Sequence, residues 1–549
     1  MVDVFLLIIA AIWVAGACWR IYRQAHYYQL EEYMSGRFLS WVASERKRWL
    51  PNRPLIALLA GVMFTLLLVE ADDGILMFII GTVAAVAAIY PARVTEVKKA
   101  FRATARAKRL LAASFVIALA LAIVMQWLVS QVRIEGFLEL RFVLAAVASW
   151  LPFMLAPLLL VLGNVLMMPV EAFLRRRFVQ RARGVLAEID PVVIGITGSY
   201  GKTSTKHYLA HILNGRYKTY ATPKSYNTLM GVCIAINNDL AHDYSAEYFI
   251  AEMGAYVPGE IEQLCDLTHP RIGIIIEVGP QHLERFGSLD NIARAKYELI
   301  KNLPADGAGV FNWDNPYVRE MYERDYPTTR IAVSREIDPA TAPPGGPRFV
   351  ATAIHEALDG LSFILHDTQI DQSAEMFTPL LGIHNVTNIL LATAVAIHEG
   401  MSLADVARRV RTLQPAESRL VSRTTPQGIT IINDAYSANP IGIIGALRTL
   451  SLHDSTTKLL ITPGMVELGP LHESENRKLG ELAAAHATEV ILIGPKQTAP
   501  IQDGLLGAGF PMERIHVMES LSEAQAWYQD NLQPGDTVLF LNDLPDTYS

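Results

Sequence analysis

Residues 197–204 read Thr-Gly-Ser-Tyr-Gly-Lys-Thr-Ser. Glycines beside a lysine and hydroxyls are the parts of a phosphate cradle. Gly198 and Gly201 permit a tight turn whose backbone N–H groups face an anion. Lys202 supplies a cation for the β/γ-phosphates, and the Thr203 hydroxyl is a Mg²⁺ ligand. The strict pattern GxxxxGK[ST] needs glycine at 196, where this chain has Ile196, so the setting must carry the assignment. Val192–Ile196 reads as a buried strand, and Lys202 opens a helix to about Leu213. Strand, loop and helix predict an ATP site with Thr197, Gly198, Ser199, Gly201, Lys202, Thr203 and Ser204 around the phosphates. Glu252 follows the apolar run Tyr248-Phe-Ile-Ala, which predicts a carboxylate at a strand's C-terminal end, where α/β sheets bind ligands.

The chain that must position these groups has 549 residues, room for three or four domains. Apolar residues make up 51% and charged residues 18%, and the apolar excess sits in the first ~170 residues. The net charge of −7 argues against a general nucleic-acid binder. Cys18, Cys233 and Cys265 are far apart and form no CxxC pair, which excludes a disulfide framework and a cysteine zinc site.

Five apolar runs stand out: Val4–Trp19, Leu55–Val69, Ile75–Tyr90, Leu110–Ser130 and Phe142–Val170. A membrane span needs ~20 residues, so the last two qualify and the first three must recruit flanking residues. Pro152 and Pro157 predict a kink in the fifth. The first run has no basic n-region and no small-residue cleavage site, so it reads as retained. Arg20–Arg53 and Pro91–Arg109 each carry seven Lys/Arg, and Arg175, Arg176, Arg177, Arg181 and Arg183 follow the last run. Glu70–Gly74 carries three acidic residues and no basic one, and Gln131–Arg141 carries two basic residues. Five spans put every basic loop on one side. The expectation is a multi-pass inner-membrane protein, N-terminus outside, with everything after Arg175 cytoplasmic. The segment near Leu30, with Tyr27 and Tyr28, reads as an interfacial helix with aromatic anchors.

Further motifs follow the loop: Ser-Tyr-Asn-Thr-Leu-Met-Gly at 225–231, Ala-Glu-Met-Gly-Ala at 251–255, and His-Leu-Glu-Arg-Phe-Gly-Ser-Leu at 282–289. Ala-Lys-Tyr-Glu at 295–298, Phe-Asn-Trp-Asp-Asn at 311–315 and Gly-Ile-His-Asn-Val-Thr-Asn at 382–388 come next. Asn-Asp-Ala-Tyr-Ser-Ala-Asn-Pro at 433–440 and Gly-Met-Val-Glu-Leu-Gly at 464–469 complete the set. In this order, across residues 190–540, the chain resembles the Mur ligase family, in particular its D-alanyl-D-alanine-adding type.

The resemblance implies an ATP-dependent acid–amino-acid ligase of peptidoglycan biosynthesis, working through an acyl phosphate with ATP and Mg²⁺. It implies that Thr203 and Glu252 hold one Mg²⁺. His282 and Lys296 would hold a second, with Lys296 carbamylated, since an ammonium cannot bind a metal. It places Asn227 near the transferring phosphate, His384, Asn385 and Asn388 beside adenine, and Asn312 and Asp314 in the nucleotide pocket. Arg419 matches an arginine joining the two ligase domains near the phosphates. Asp434, Tyr436, Asn439 and Pro440 match a loop closing over nucleotide and amine.

The implied fold is α/β in three parts. A polytopic membrane segment of about five helices spans 1–184, a central P-loop domain with a mainly parallel sheet spans 185–415, and a Rossmann-like α/β domain spans 416–549. A small β excursion is expected within 325–380, and C-terminal strands near Thr430–Asn433, Lys458–Thr462, Glu489–Ile493 and Thr537–Leu541.

Two departures matter. The family's soluble UDP-recognising domain is replaced by the apolar segment, which makes a lipid-linked carboxylate peptide acceptor attractive beside membrane lipids as partners. Asn542-Asp543-Leu544-Pro545-Asp546 stands where the family ends near Lys-Gly-Ser, and Asn433 and Ser437 depart from the loop pattern. The aspartates would repel the carboxylate of a peptide nucleophile. A ligase for another polymer, such as poly-glutamate, and a non-catalytic nucleotide-binding scaffold are the competing readings.

Overall fold

The computed structural model describes residues 2–67, 73–90, 100–132, 138–436 and 438–542. Contacts divide it into two compact units, one from the chain up to Arg176 and one over Arg177–Leu544.

The first unit is helical. Val2–Leu30, Ala105–Gln131 and Ala156–Ile189 are long and apolar enough to cross a membrane. Asn52–Leu66 and Gly74–Ile89, with 15 and 16 residues, fall just short of the ~17-residue limit. Two of the five apolar runs differ in extent from the helices that hold them. The first run continues as helix to Leu30. The fifth is divided at Leu155 into Leu138–Met154 and Ala156–Ile189. Pro157 has no N–H to offer the carbonyl four residues back, that of Phe153. Arg20 donates to that carbonyl at 2.8 Å. Its other terminal nitrogen donates to the carbonyls of Arg48 and Trp49 at 3.0 and 2.9 Å. Leu155 and Leu159 keep their i−4 bonds at 2.9 Å, so the break is the expected kink and not a turn. Tyr28, expected at an interface, is instead fully buried and bonded to Ser35 at 2.8 Å. Residues 68–72, 91–99 and 133–137, which carry part of the loop-charge argument, lie outside the described residues.

The second unit carries two sheets. β1 (Val192–Thr197), β2 (Thr219–Ala221), β3 (Tyr248–Glu252), β4 (Ile272–Ile275), β5 (Ala308–Asn312), β6 (Thr329–Ser334), β7 (Phe349–Ala357), β8 (Gly360–Asp367) and β9 (Gln372–Thr378) form the first. Its order is β2-β3-β1-β4-β5-β6-β7-β8-β9. The pairs are parallel as far as β7 and antiparallel from β7 to β9, so the expected β excursion is this terminal meander. Alternation along β1 sends Ile194 and Ile196 to one core and Val193 to the other. Both faces are covered, which is why its strands are nearly continuous apolar runs.

The second sheet holds β10 (Val421–Thr424), β11 (Thr430–Asp434), β12 (Lys458–Thr462), β13 (Glu489–Ile493), β14 (Ile515–Met518) and β15 (Thr537–Leu541). Its order is β10-β11-β15-β12-β13-β14, with only β10 antiparallel to its neighbour. The four expected strands are β11, β12, β13 and β15. β10 and β14 are short edge strands of mixed polarity, without the apolar run that marks the others.

In the first sheet the chain places β3 on one side of β1 and then β4 on the other. That reversal opens a crevice at the strands' carboxyl ends, the usual ligand position in such sheets.

Candidate functional site

The β1–β3 register pairs Ile196 with Glu252, so the carboxylate emerges one strand away from the glycine loop. Glu252 is almost wholly buried. Its Oε1 accepts from the Thr203 hydroxyl and from Asn227 Nδ2, each at 3.2 Å. Lys206 Nζ lies 3.0 Å from the other oxygen. Lys206 was not foreseen; the available signal was its place four residues beyond Lys202, on the same helix face. Lys202 turns back over its loop, donating to the carbonyls of Gly198 and Ser199 at 2.5 and 3.1 Å. Burial, with the Arg419 charge adding, pulls its ammonium down to about 8 against the opposing pull of Glu252.

Gly201 opens the helix at φ +79°, and a Cβ there would meet Asn388 Oδ1 at 2.6 Å, so a side chain has neither the conformation nor the space. Thr197 and Ser199 lie at the start of the loop. Their buried hydroxyls donate to the carbonyls of Met253 at 2.8 Å and Gly279 at 3.0 Å. They hold the loop to its neighbours.

A cleft beside the loop measures about 330 Å³ and gathers Gly201, Ser204, Asn312, Asp314, His384, Asn385, Asn388, Arg419, Asp434 and Asn439 of the expected residues. It adds Tyr200, Glu277, Asn315 and Arg335. Asn312 donates to Glu277 at 3.3 Å, and Asn315 bonds the same carboxylate. Burial pushes the Glu277 carboxyl up to about 7. Asp314 accepts from the Arg335 N–H at 2.9 Å. Asn388 donates to Asn385 at 3.1 Å, and Tyr208 donates to the same oxygen at 3.0 Å. Burial holds His384 down to about 4, and its Nδ1 has no hydrogen-bond partner among the described residues.

The second sheet reaches the loop through Arg419, whose Nη2 lies 3.5 Å from the Thr203 hydroxyl. The guanidinium covers the Tyr436 ring at 4.3 Å, and the Tyr436 hydroxyl bonds that of Ser225. Asp434 accepts from the Leu420 N–H at 3.2 Å, and burial pushes its carboxyl up to about 6. Asn439 accepts from the Gly442 N–H at 2.8 Å, at the start of the helix Gly442–Leu452.

Lys296 is buried on the helix Leu289–Lys301, with no carboxylate paired to it among the described residues. Burial first, then the Lys202 charge, holds its amine well below the ordinary lysine range. His282 adopts the left-handed conformation at φ +57° and bonds Glu467 through Nδ1.

Mg²⁺ favours one or two carboxylates completed by water and phosphate oxygens. The facing Thr203 hydroxyl and Glu252 carboxylate fit that donor set. Among the described residues no group of three or more His, Cys, Asp or Glu forms a metal site by itself, so phosphate and carbamate oxygens would have to complete it. Only the unprotonated amine of lysine adds CO₂, and the downward shift at Lys296 favours that form, which fits a carbamate there. Ser437, Asp543 and Asp546 lie outside the described residues.

Two family models match the chain: the Mur ligase middle domain over residues 196–396 and the Mur ligase, glutamate ligase domain over 418–542. The UDP-N-acetylmuramoyl-tripeptide–D-alanyl-D-alanine ligase of Bacillus subtilis is 30% identical over 363 residues, 66% of this chain and 75% of that protein. The enzyme of the same name from Escherichia coli is 29% identical over 328 residues, 60% of this chain and 70% of its own length. A crystal structure of MurF from Acinetobacter baumannii superposes with a TM-score of 0.58 at 25% identity, over 68% of this chain and 78% of that one. The MurF ligase of Thermotoga maritima in complex with ADP shares the fold, with a TM-score of 0.58 at 22% identity over 67% of this chain and 80% of its own.

Proposed function

Because this chain belongs to the Mur ligase family, we propose that it is an ATP-dependent ligase joining a muramoyl-peptide carboxylate to an amine in peptidoglycan precursor synthesis. The observation that supports this most is the meeting of Lys202, Thr203, Asn227 and Glu252 at one crevice, with Arg419 reaching in from the second sheet.

In this reading the acceptor carboxylate attacks the γ-phosphorus of ATP, and ADP leaves. An amine then attacks the acyl carbon, phosphate departs and a proton is lost from nitrogen. Phosphoryl transfer depends chiefly on position and charge. Lys202 and Arg419 neutralise the phosphates, and the loop N–H groups orient them. Thr203 and Glu252 would hold one Mg²⁺, and His282 with carbamylated Lys296 a second, and the ions would supply further charge neutralisation. Lys206 and Asn227 fix the Glu252 carboxylate. Asn312, Asp314, His384, Asn385 and Asn388 accommodate the nucleoside. Asp434, Tyr436 and Asn439 close over it and exclude water from the acyl phosphate.

The helical unit is a multi-pass inner-membrane anchor in this reading, N-terminus outside and ligase domains cytoplasmic. It makes a lipid-linked muramoyl peptide the preferred acceptor, because anchoring raises the effective concentration of a partner in the same bilayer. D-alanyl-D-alanine, named in those relatives, is the first amine to test.

The test is phosphate release by the detergent-solubilised full chain with ATP and Mg²⁺, with products identified by mass spectrometry. Soluble UDP-linked and lipid-linked muramoyl peptides are compared as acceptors, with and without the dipeptide, beside a glutamate-only arm. Release requiring both a muramoyl acceptor and an amine is expected, greater with the lipid-linked acceptor. Release with glutamate alone overturns the cell-wall reading in favour of a polymer synthase.

A further inference from the structure

Glu467 lies outside the nucleotide cleft, on the loop after β12, and belongs to the second sheet's domain. Its loop is fastened there: the Met465 N–H donates to Asn476 at 2.8 Å, Asn476 donates back to Met465 at 3.0 Å, and Asn542 donates to the Gly464 carbonyl at 2.6 Å. Glu467 itself sits at φ +59°. Its carboxylate crosses to the first sheet's domain and bonds His282 Nδ1. The backbones approach closely at this point. A Cβ built on Gly469 would come 3.4 Å from Glu284 Cα.

Two residues that rarely adopt left-handed backbone therefore meet side chain to side chain, the kind of local strain that clusters at functional sites. The Tyr256 ring packs edge-on against the imidazole, with centroids 4.6 Å apart. Arg285 lies 4.5 Å over the Tyr256 ring and 3.7 Å from Glu467. A carboxylate on Nδ1 keeps the proton there and leaves the Nε2 lone pair for another partner. Metal-binding histidines are oriented by carboxylates in this way, with losses of ~10–100-fold in metal affinity when the carboxylate is removed.

We propose that Glu467 is a positioning residue: the second sheet's domain delivers its carboxylate to His282, so the imidazole presents Nε2 to a divalent cation only when the two sheet domains are together. The inference rests on reading His282 as a ligand of the second Mg²⁺. It makes assembly of that metal site a consequence of domain closure, through a residue that touches neither nucleotide nor metal.

The experiment measures Mn²⁺ binding, as a paramagnetic substitute for Mg²⁺, to the detergent-solubilised full chain saturated with a non-hydrolysable ATP analogue. Wild type is compared with E467Q, E467D, R285M and H282A, each first checked for an unchanged thermal unfolding profile. E467Q should weaken the second Mn²⁺ by about 10–100-fold without changing the first. E467D, which keeps the charge, should recover part of that loss. R285M should bind like wild type. If R285M loses as much as E467Q, the Arg285 ion pair is the contact that matters and the proposal falls. If H282A loses the second Mn²⁺ while E467Q keeps it, positioning by Glu467 is wrong and the ligand reading survives. If H282A keeps the second Mn²⁺, the ligand reading fails and takes this inference with it.

Discussion

Both units bury cations, and they do so in different ways. In the helical unit Arg20 is 8% exposed and meets backbone carbonyls, one freed by Pro157 and two at the end of a short helix. Its bonds repair the backbone. In the ligase unit Lys206 is 4% exposed and meets a carboxylate, while Lys202 sits on a glycine loop and Lys296 has no carboxylate paired among the described residues. These charges surround a crevice at the ends of parallel strands. What separates the two sets is their surroundings, backbone carbonyls in one and a buried carboxylate at a strand-end crevice in the other.

The contrast can be broken most directly at Lys202. Lys202→Ala should lower phosphate release by at least ~100-fold, the scale of losing one placed donor to developing charge. Turnover near wild type would remove the loop from the mechanism. Lys296→Ala should also lose most activity, and added short-chain carboxylates should restore part of it by standing in for carbamate oxygens. No rescue in a folded variant would argue against the carbamate.

Lys206→Met tests the paired cation. Leaving Glu252 buried without its partner should destabilise the ligase unit by about 3–5 kcal/mol, read as a lower thermal unfolding midpoint. Arg20→Met tests the repairing cation. It leaves the buried Phe153 carbonyl unsatisfied, at about 1–3 kcal/mol. Phosphate release per folded molecule should be unchanged. A loss of turnover with folding intact would place Arg20 on the functional side of the comparison.

Glu277 gives the smallest effect. Its carboxyl is raised to about 7 in the fold, above its unfolded value of ~4.3. The folded state therefore holds the proton more tightly than the unfolded state. Stability attributable to this group is fully present below about pH 4.3 and falls as pH rises toward 7. The change should be on the order of 1–3 kcal/mol. Glu277→Gln should flatten that dependence, measured as unfolding midpoints at pH 5 and pH 8. An unaltered pH profile would show that the carboxyl is better solvated than its surroundings suggest.

The sequence by itself marked β1, the run into Glu252, four of the six strands of the second sheet and the phosphate loop. Val192–Thr197, Lys458–Thr462 and Glu489–Ile493 are buried on both faces or pack on one, so their apolar runs are local signals. Lys202, Thr203 and Glu252 were legible because glycine spacing and a strand's end are also local. The division of the fifth apolar run was half legible: Pro157 announced the kink, but nothing local named Arg20 as its partner. Lys206 and Glu467 were invisible for the same reason. The first acquires its meaning from the β1–β3 register, which sets Ile196 beside Glu252. The second acquires it from a contact across 185 residues of chain between two domains. Propensity and periodicity act over a few residues, whereas the charge a buried group meets is decided by packing between distant segments. Tertiary structure alone turned one lysine into an ion pair and one glutamate into the partner of a histidine.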